Sequence, residues 1–261
     1  MLNIVIPMAG AGSRFAKAGY KEPKPLISVC GIPMIKLVIS NLRPTQAHRF
    51  IFIAQAAHIQ AYGLDARLKE WAPGCVIVGI DGLTAGAACT VLKAREYIDN
   101  DAPLMIANSD QYVDTSIDAY LQERDLRTLD GLIMTMTAHD KKWSFVGLDD
   151  RRLVTHVVEK EVISDEATVG IYNFAHGREF VQAADEMIAA DERVNGEFYV
   201  APVYNRMIAK DARIGVHNVG AEARGMYGLG IPADLDLFHS LPVCVRAVRH
   251  VSDGEGRERG K

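Results

Sequence analysis

The sequence has few cysteines, and none has the spacing of a metal site. Among 261 residues the four cysteines are Cys30, Cys75, Cys89 and Cys244, and no C-x-x-C pair occurs. This pattern predicts free, buried thiols in a reducing compartment. The eight histidines form neither an H-x-H nor an H-E-x-x-H pattern, which argues against a zinc centre.

The sequence also lacks a basic excess and a long apolar run. Lys and Arg number 29 against 33 Asp and Glu, a net charge of -4, which excludes the basic surface that proteins use to wrap nucleic acid. The first seven residues have no basic region of the signal-peptide kind and predict a strand. No apolar run approaches the roughly 18–20 residues of a membrane span. We therefore expect a cytoplasmic protein with neither a nucleic acid nor a membrane as partner.

What is present is the composition of an ordinary globular domain, 49% hydrophobic and 24% charged. Without internal repeats or a Pro/Ser-rich linker, the length predicts one domain over residues 1–241. Residues 1–130 would form its first half and 131–241 its second. We expect residues 242–261 to be a C-terminal tail, disordered from Ser252 on, because that stretch has no apolar residue.

The order of apolar patterns predicts an α/β fold. In the first half, strands at 2–6, 50–54, 76–80 and 104–107 alternate with helices at 33–42, 59–68 and 87–98. Such alternation indicates a parallel sheet with helices on both faces. The second half adds strands at 130–137, 144–148, 153–158, 168–173 and 213–219, with helices at 177–190, 199–210 and 233–240. We expect these later strands to extend the first sheet as a mixed one.

A glycine-rich segment directly follows the first strand and reads Gly10-x-Gly12-x-Arg14-Phe15. Glycines allow main-chain N–H groups to form an anion-binding nest, and an arginine adds a fixed charge for phosphate. A dinucleotide fold would need a third glycine where Phe15 stands, and a Walker loop would need G-x-x-x-x-G-K-[ST]. A tight turn without a ligand stays open as an alternative.

Lys24 stands between Pro23 and Pro25. Each proline favours an extended backbone in the residue before it. The segment is therefore predicted to be stiff and extended, and suited to aiming one ammonium group. The alternative is a rigid loop with a solvated lysine.

These two segments together resemble the signature of the sugar-1-phosphate nucleotidyltransferases, the pyrophosphorylases. The second motif is Lys24-Pro-Leu-x4-Gly31-x-Pro33-Met34. A similar pattern occurs in bacterial choline-phosphate cytidylyltransferases and in capsule-locus nucleotidyltransferases. The resemblance implies a Rossmann-like nucleotide-diphospho-sugar transferase fold with a mixed, mostly parallel central sheet. It also implies that Arg14 contacts the phosphates of a nucleoside triphosphate and that Lys24 neutralises charge at the reacting phosphate.

Asp110 ends the apolar strand at 104–107, within Asn108-Ser109-Asp110. Ligands of open α/β sheets gather beyond the carboxyl ends of strands, and a carboxylate there can hold Mg²⁺ against phosphate oxygens. The alternative is a plain loop before a helix that Asp114 or Thr115 caps. Asp110 resembles the metal-binding aspartate of the family, which implies Mg²⁺ as the cofactor.

The resemblance also implies the remaining site residues. Nucleotide binding falls to Ala9, Gly10, Ala11, Gly12, Ser13, Thr84, Gly86 and Asn108. The residues expected to bind the acceptor are Glu159, Gly170 and Glu197. Lys160 is expected to hold the acceptor's phosphate, and the catalytic groups are Arg14, Lys24 and Lys160. The family often has a second metal aspartate where this chain has Gly228. Either one carboxylate with water molecules suffices, or another acid such as Glu222 or Glu197 contributes. Trp143 and Tyr227 could line the acceptor pocket, and core packing is the preferred interpretation for each.

The predicted function is transfer of a nucleoside monophosphate from an NTP to a small phosphorylated acceptor, with release of pyrophosphate. CTP, UTP or dTTP are expected rather than GTP or ATP. Sugar 1-phosphates, phosphocholine and phosphoglutamine all stay open as acceptors, in the synthesis of surface polysaccharide or cell-envelope precursors. The alternatives are a glycosyltransferase that uses a nucleotide-sugar donor and a non-catalytic nucleotide sensor. The oligomeric state is left open, a homo-oligomer included.

Overall fold

The computed structural model describes the backbone of residues 1–258, with the side chains of residues 1–249 and of Val251. Its strands are β1 Leu2–Pro7, β2 Ser28–Val29, β3 Ile32–Pro33, β4 His48–Gln55, β5 Val76–Ile80, β6 Leu104–Ala107, β7 Gln111–Val113, β8 Gly131–Thr137, β9 Ser144–Leu148, β10 Val154–Glu159, β11 Glu166–Phe174, β12 Ile214–Glu222 and β13 Gly225–Gly228.

The helices are α1 Ser13–Lys17, α2 Met34–Leu42, α3 Ala56–Tyr62, α4 Leu64–Trp71, α5 Ala87–Val91, α6 Arg95–Ile98, α7 Ile117–Leu126, α8 Gly177–Ala189, α9 Val203–Ile208, α10 Pro232–Ser240 and α11 Pro242–Glu258. Short 3₁₀ turns occur at Lys24–Leu26 and Leu92–Ala94. The helix predicted at 59–68 is divided at Gly63, whose φ of 57° lies in the left-handed region. The helix predicted at 87–98 is interrupted by the second 3₁₀ turn.

The predicted mixed sheet is confirmed. Within residues 1–258, eleven strands join one sheet, along the order β5-β4-β1-β6-β11-β8-β12-β13-β7, with β9 and β10 attached through β11. The strands β5, β4, β1 and β6 run parallel. β11 then lies antiparallel between β6 and β8. The strand order reverses at β1, since β4 and β5 lie on one side of it and β6 on the other. The crevice at the carboxyl ends of β1 and β6 is therefore the place where open α/β sheets bind ligands.

The sheet is buried on both faces, as the continuous apolar strands require. Alternate side chains of β1 enter different clusters: Ile4 and Ile6 belong to one, and Val5 to the other. Among the described residues, no helix combines the length and apolarity needed to span a bilayer.

A third apolar cluster joins the C-terminal helices to the glycine-rich segment. Its buried members are Phe15, Ile27, Val29, Met34, Leu37, Tyr112, Leu229, Leu235, Phe238, Val243, Cys244, Ala247 and Val251. The prediction of a tail from residue 242 is wrong, because the last four of these residues form one buried stripe of α11. The helix continues to Glu258, through most of the segment expected to be disordered, and residues 259–261 lie outside the described residues.

The prediction of four free thiols is also wrong for two of them. Cys30 and Cys244 form a disulfide that joins residues 214 positions apart, with a Cα–Cα distance of 6.6 Å. The spacing of cysteines in a sequence reveals only pairs that are close along the chain. The Cys30–Cys244 disulfide forms because α11 packs near the hairpin β2–β3, which the sequence does not show. Cys75 and Cys89 are free and half-buried, and burial raises the pKa of both thiols.

Phe238→Ala should lower the free energy of unfolding by about 3–5 kcal/mol, the usual cost of removing a buried aromatic ring. Phe238 is 1% exposed, and its ring centroid lies 5.7 Å from that of Tyr112 and 5.5 Å from that of Tyr227. Leu237, its neighbour on α10, is 48% exposed, so Leu237→Ala is a matched control expected to change stability by less than about 0.5 kcal/mol. Urea unfolding measures both. Equal losses would show that the third cluster is not a packed core.

Candidate active site

The glycine-rich loop leaves β1 at the carboxyl edge of the sheet. Gln55 Nε2 donates to the carbonyl of Ala9 at 2.7 Å, which ties the loop to the end of β4. Gly12 has a φ of 60°, and a Cβ atom built on it would lie 3.6 Å from Lys24 Cβ. The loop therefore lies against the lysine segment. Gly10, Ala11, Ser13 and Arg14 are exposed, so their main-chain and side-chain donors are accessible to a ligand.

Lys24 has a different backbone from the one expected. Pro23 is extended, with ψ 147°, but Lys24 opens the 3₁₀ turn Lys24–Leu26, in which the amide of Leu26 donates to the carbonyl of Pro23 at 2.8 Å. The proline preference is overridden because Pro25 and Leu26 are buried. The segment is still fixed, and it directs the ammonium group toward the crevice.

Lys24 and Asp110 form an ion pair across the strand-order reversal. Lys24 Nζ lies 2.7 Å from Asp110 Oδ2, and the two side chains are 21% and 24% exposed. The residues are 86 positions apart, one after β1 and the other after β6. This contact brings together two groups that the sequence assigned to one site.

The backbone around Asp110 is held on two sides. Its carbonyl accepts from the amide of Leu229 at 2.8 Å, and β7 pairs with β13 directly afterwards. A Cβ atom built on Gly230 would lie 2.5 Å from Asp110 Oδ2, so a side chain there would displace the carboxylate. Helix α7 is capped by Ser116, whose hydroxyl accepts from the amide of Ala119, and not by Asp114 or Thr115.

A cavity of about 670 Å³ opens at this ion pair. It is lined by Arg14, Asn108, Asp110, Gln111, Lys142, Trp143, Met226, Gly228, Gly230, Ile231, Pro232, Ala233 and Asp234. Gln111, Lys142 and Asp234 were missed from the sequence, and for Trp143 the structure favours the cavity over the preferred interpretation of core packing. Gln111 belongs to β7, Asp234 to α10, and Lys142 and Trp143 to the segment before β9, and no local motif marks these positions.

Asp234 occupies the space next to Gly228, where the sequence lacks an acid. A Cβ atom built on Gly228 would lie 3.0 Å from Asp234 Oδ2. Burial raises the pKa of Asp234, Lys142 opposes the shift, and Glu222 adds to it. Glu222 itself is engaged by Lys142, at 2.7 Å between Nζ and Oε1. Asp234 therefore lines the cavity together with Asp110, whereas Glu222 and Glu197 do not line it.

Lys160, Glu159 and Glu197 come together next to Trp143, although the lining of the cavity includes none of the three. The amide of Lys160 donates to the carbonyl of Trp143 at 3.0 Å, and its Nζ donates to Tyr199 Oη at 2.7 Å. The Tyr199 hydrogen bond raises the pKa of Lys160 despite partial burial, with Glu159 and Glu197 adding to the shift.

Glu159 is held by a short hydrogen bond from Ser144 Oγ. Burial raises its pKa, Ser144 and Lys160 oppose the shift, and Glu197 adds to it. Ser144 and Tyr199 had no sequence signal, because each lies on a different strand or loop from the residue that it contacts.

Gly170 and Asn108 are in direct contact. Gly170 has a φ of 79°, and a Cβ atom built there would lie 2.1 Å from Asn108 Nδ2. The amide of Asn108 donates to the carbonyl of Gly170 at 3.0 Å. The glycine thus makes room for the asparagine side chain within the sheet.

Gly86 allows the main chain of Phe198 to approach closely, and the space beside it is filled by protein. Its φ is 128°, and a Cβ atom there would lie 2.4 Å from the carbonyl oxygen of Phe198. The main chains interlock: the amide of Phe198 donates to Ala85 at 2.8 Å, and the amide of Ala88 donates to Phe198 at 3.0 Å. The Thr84 hydroxyl donates to the carbonyl of Gly86 at 2.9 Å. The loop at 84–86 is thus bound to the segment that carries Glu197 and Tyr199.

The comparison with known families decides the classification. Residues 4–199 match the nucleotidyl transferase family. The chain belongs to that family. The nucleotidyltransferase is an enzyme of the type expected from its two N-terminal motifs, and the fold class is confirmed.

Solved structures agree with this classification. The nucleoside-diphosphate-sugar pyrophosphorylase of Vibrio cholerae RC9 is 25% identical, with a TM-score of 0.77 over 91% of this chain and 100% of its own. The inositol-1-phosphate CTP transferase of T. maritima is 12% identical, with a TM-score of 0.72 over 97% and 96%. The UDP-glucose pyrophosphorylase of Acinetobacter baumanii is 14% identical, with a TM-score of 0.68 over 97% and 99%. The last two show likeness of fold alone. No curated protein matches the chain significantly by sequence.

The raised pKa of Glu159 predicts a pH-dependent stability. Since the folded pKa lies above the unfolded value, folding favours the protonated form. Its contribution to stability is present below the ordinary carboxyl pKa and is lost as pH rises through the raised value. Glu159→Gln should therefore gain stability relative to the wild type across that range. Urea unfolding at several pH values measures it.

Glu161→Gln, an exposed neighbour, is the matched control and should follow the wild-type curve. Parallel curves for the wild type and Glu159→Gln would contradict the effect of burial.

Proposed function

We propose that this nucleotidyltransferase transfers a nucleoside monophosphate from a pyrimidine NTP to a sugar phosphate and releases pyrophosphate. The observation that carries the proposal is the Lys24–Asp110 contact of 2.7 Å at the strand-order reversal. It places a cation from the phosphate-loop side and a carboxylate from the next strand at one point, with Arg14 in the same cavity. A nucleotide-sugar donor has no γ-phosphate that would need this second cation.

The donor set fits a hard divalent cation. Asp110 and Asp234 both line the cavity, and carboxylate oxygens together with water are the ligands that Mg²⁺ prefers. Asp110 would hold the ion, with Asp234 as the second acid in place of a side chain at Gly228. When bound, Mg²⁺ neutralises charge on phosphate oxygens and orients them.

The protein's part in the reaction is positioning and charge neutralisation. The exposed amides of the glycine-rich loop and Arg14 bind the β- and γ-phosphates that leave as pyrophosphate. Lys24 exchanges its partner Asp110 for the α-phosphate oxygens as negative charge develops there. Lys160 aligns the acceptor's phosphate for in-line attack. That phosphate is already ionised, so no general base is needed.

The cavity favours a hydroxylated acceptor. Gln111 is 4% exposed, and its Nε2, like Trp143 Nε1, is buried without a hydrogen-bond partner in the described structure. Both side chains line the cavity, and a change of side-chain torsion would let these donors reach the hydroxyl oxygens of a bound sugar. The similarity to a nucleoside-diphosphate-sugar pyrophosphorylase supports the same acceptor class.

A quaternary ammonium acceptor is less favoured by the same residues. Such groups bind over aromatic faces. The face of Trp143 is covered by Lys142, whose Nζ lies 4.9 Å from the ring centroid, and that of Tyr199 by Lys160, at 4.8 Å. A cation of the protein therefore already lies against each ring, and its positive charge repels an ammonium acceptor.

Removing a charge from the site should abolish most of the activity. Arg14→Ala, Lys24→Met and Asp110→Asn should each lower kcat by at least ~10²-fold, the usual loss for one transition-state electrostatic partner. Pyrophosphate release with Mg²⁺ measures it. Lys21→Met is the matched control, since Lys21 is an exposed lysine of the same segment, and it should retain activity. A variant with near-wild-type turnover would refute the role assigned to its residue.

The substrate prediction is tested by a grid of five NTPs against phosphorylated acceptors. We expect pyrophosphate release with CTP, UTP or dTTP and a sugar 1-phosphate, and at least ~10-fold lower kcat/KM with phosphocholine, because the lysines beside both aromatic rings repel its cation. Phosphoglutamine completes the acceptor set. NTP binding without pyrophosphate release for any acceptor would instead indicate a sensor. Release of a nucleoside diphosphate from a nucleotide sugar would indicate a glycosyltransferase.

A further inference from the structure

Three metal-ligand side chains meet away from the proposed active site. Cys30, His239 and Cys244 place their sulfur and ring-nitrogen ligand atoms within 4.8 Å of one another. They come from three elements: the turn of the hairpin β2–β3, the last turn of α10 and the first turn of α11. Neither the phosphate chemistry nor the acceptor site uses any of them.

The three groups are held in place by the fold. Cys30 and Gly31 are the two turn residues of the hairpin, and both have positive φ, 47° and 93°. The amide of Cys30 donates to His239 Nε2 at 3.3 Å, which holds the ring against the cysteine. Metal binding through Nε2 would replace this hydrogen bond. Cys244 is fully buried in the third cluster. Cys244 thus fixes the three side chains to the core, while Cys30 and His239 are exposed and accessible to a cation from solvent.

We propose that Cys30, Cys244 and His239 form a redox-gated site for a thiophilic divalent cation such as Zn²⁺. Two thiolates and an imidazole are typical zinc ligands. Zn–S bonds of about 2.3 Å in tetrahedral geometry separate two sulfur atoms by about 3.7 Å. The backbone already suits this, because the Cα atoms of the two cysteines are 6.6 Å apart and only the side chains must rotate.

The disulfide is the closed state of the site. A dithiol reductant opens it: the dithiol becomes a cyclic disulfide, the Cys30–Cys244 bond breaks, and each cysteine sulfur gains one proton. Binding of the cation then releases these two protons to solvent, because the ligands are thiolates. The metal charge is offset by the two sulfurs, with neutral His239 as third ligand.

A fourth coordination position has room on the exposed side. A cavity of about 600 Å³ is lined by Cys30 and His239, and also by Asp236 and Glu22. Water or a carboxylate from this lining can complete a tetrahedral set. In either redox state a cross-link then fastens α11 to the hairpin that follows Lys24–Leu26.

Cobalt binding to the full-length protein tests the proposal. Co²⁺ is the probe because its thiolate charge-transfer absorption distinguishes sulfur ligands from carboxylates such as Asp110. The reductant is a phosphine, which takes an oxygen atom from water and does not compete for metal as a dithiol does. We expect reduced protein to bind one equivalent with this absorption, and oxidised protein to show none.

Variants separate a three-ligand site from a simple pair of thiols. His239→Ala keeps both thiols and should weaken Co²⁺ binding at least ~10-fold, since even changes outside the ligand shell have this effect. Cys30→Ser, on an exposed turn, should lose most of the absorption while the protein stays folded.

The matched controls are Cys89→Ser and His139→Ala, which lie outside the cluster and should bind as the wild type does. Unchanged affinity in His239→Ala, or no thiolate absorption in the reduced wild type, would overturn the proposal. Neither result depends on nucleotidyl transfer.

Discussion

The ion pair between Lys24 and Asp110 is the constraint on which the rest of the site depends. Lys24 lies on a 3₁₀ turn between β1 and β2, and Asp110 lies on a short bend between β6 and β7. Neither segment is a regular element that would fix the position of its side chain without the contact. Their separation of 2.7 Å is set by the neighbouring positions of β1 and β6 in the sheet. A polyphosphate with its cation would enter between groups whose charges are already matched, which limits the cost of desolvating either one.

The two halves of the domain contribute different chemistry to one cavity. The parallel strands supply the loop with Arg14 and the aspartate Asp110, and the segment before β9 brings Lys142 and Trp143 to the cavity. Helix α10 adds Asp234 from a third direction. This division explains why the cavity contains both carboxylates and ammonium groups in close balance.

Much of this arrangement was predictable where the signal is local. The strands of the first half follow continuous apolar runs, Gly10, Gly12 and Asp110 follow the ends of β1 and β6, and Lys24 is marked by the two prolines beside it. Contacts between distant segments were not predictable. No sequence motif identifies Asp234 as a site residue. Its side chain lies next to Gly228 because of the turn between β13 and α10.

Other differences have the same origin. The stripe of α11 is apolar only over its first turns, so the charged remainder suggested a tail. The Cys30–Cys244 pair depends on that helix, and the extended backbone expected at Lys24 was overridden by burial of the residues that follow it.

The interlocked main chains at Gly86 and Phe198 have a consequence for divergence within this family. The loop at 84–86 and the segment at 195–199 share hydrogen bonds and a contact too tight for any side chain. Neither can change length or course without the other. Substrate preference in such a scaffold would evolve by simultaneous changes in both segments. A chimera that receives only one of the two loops would lose the hydrogen bonds between them.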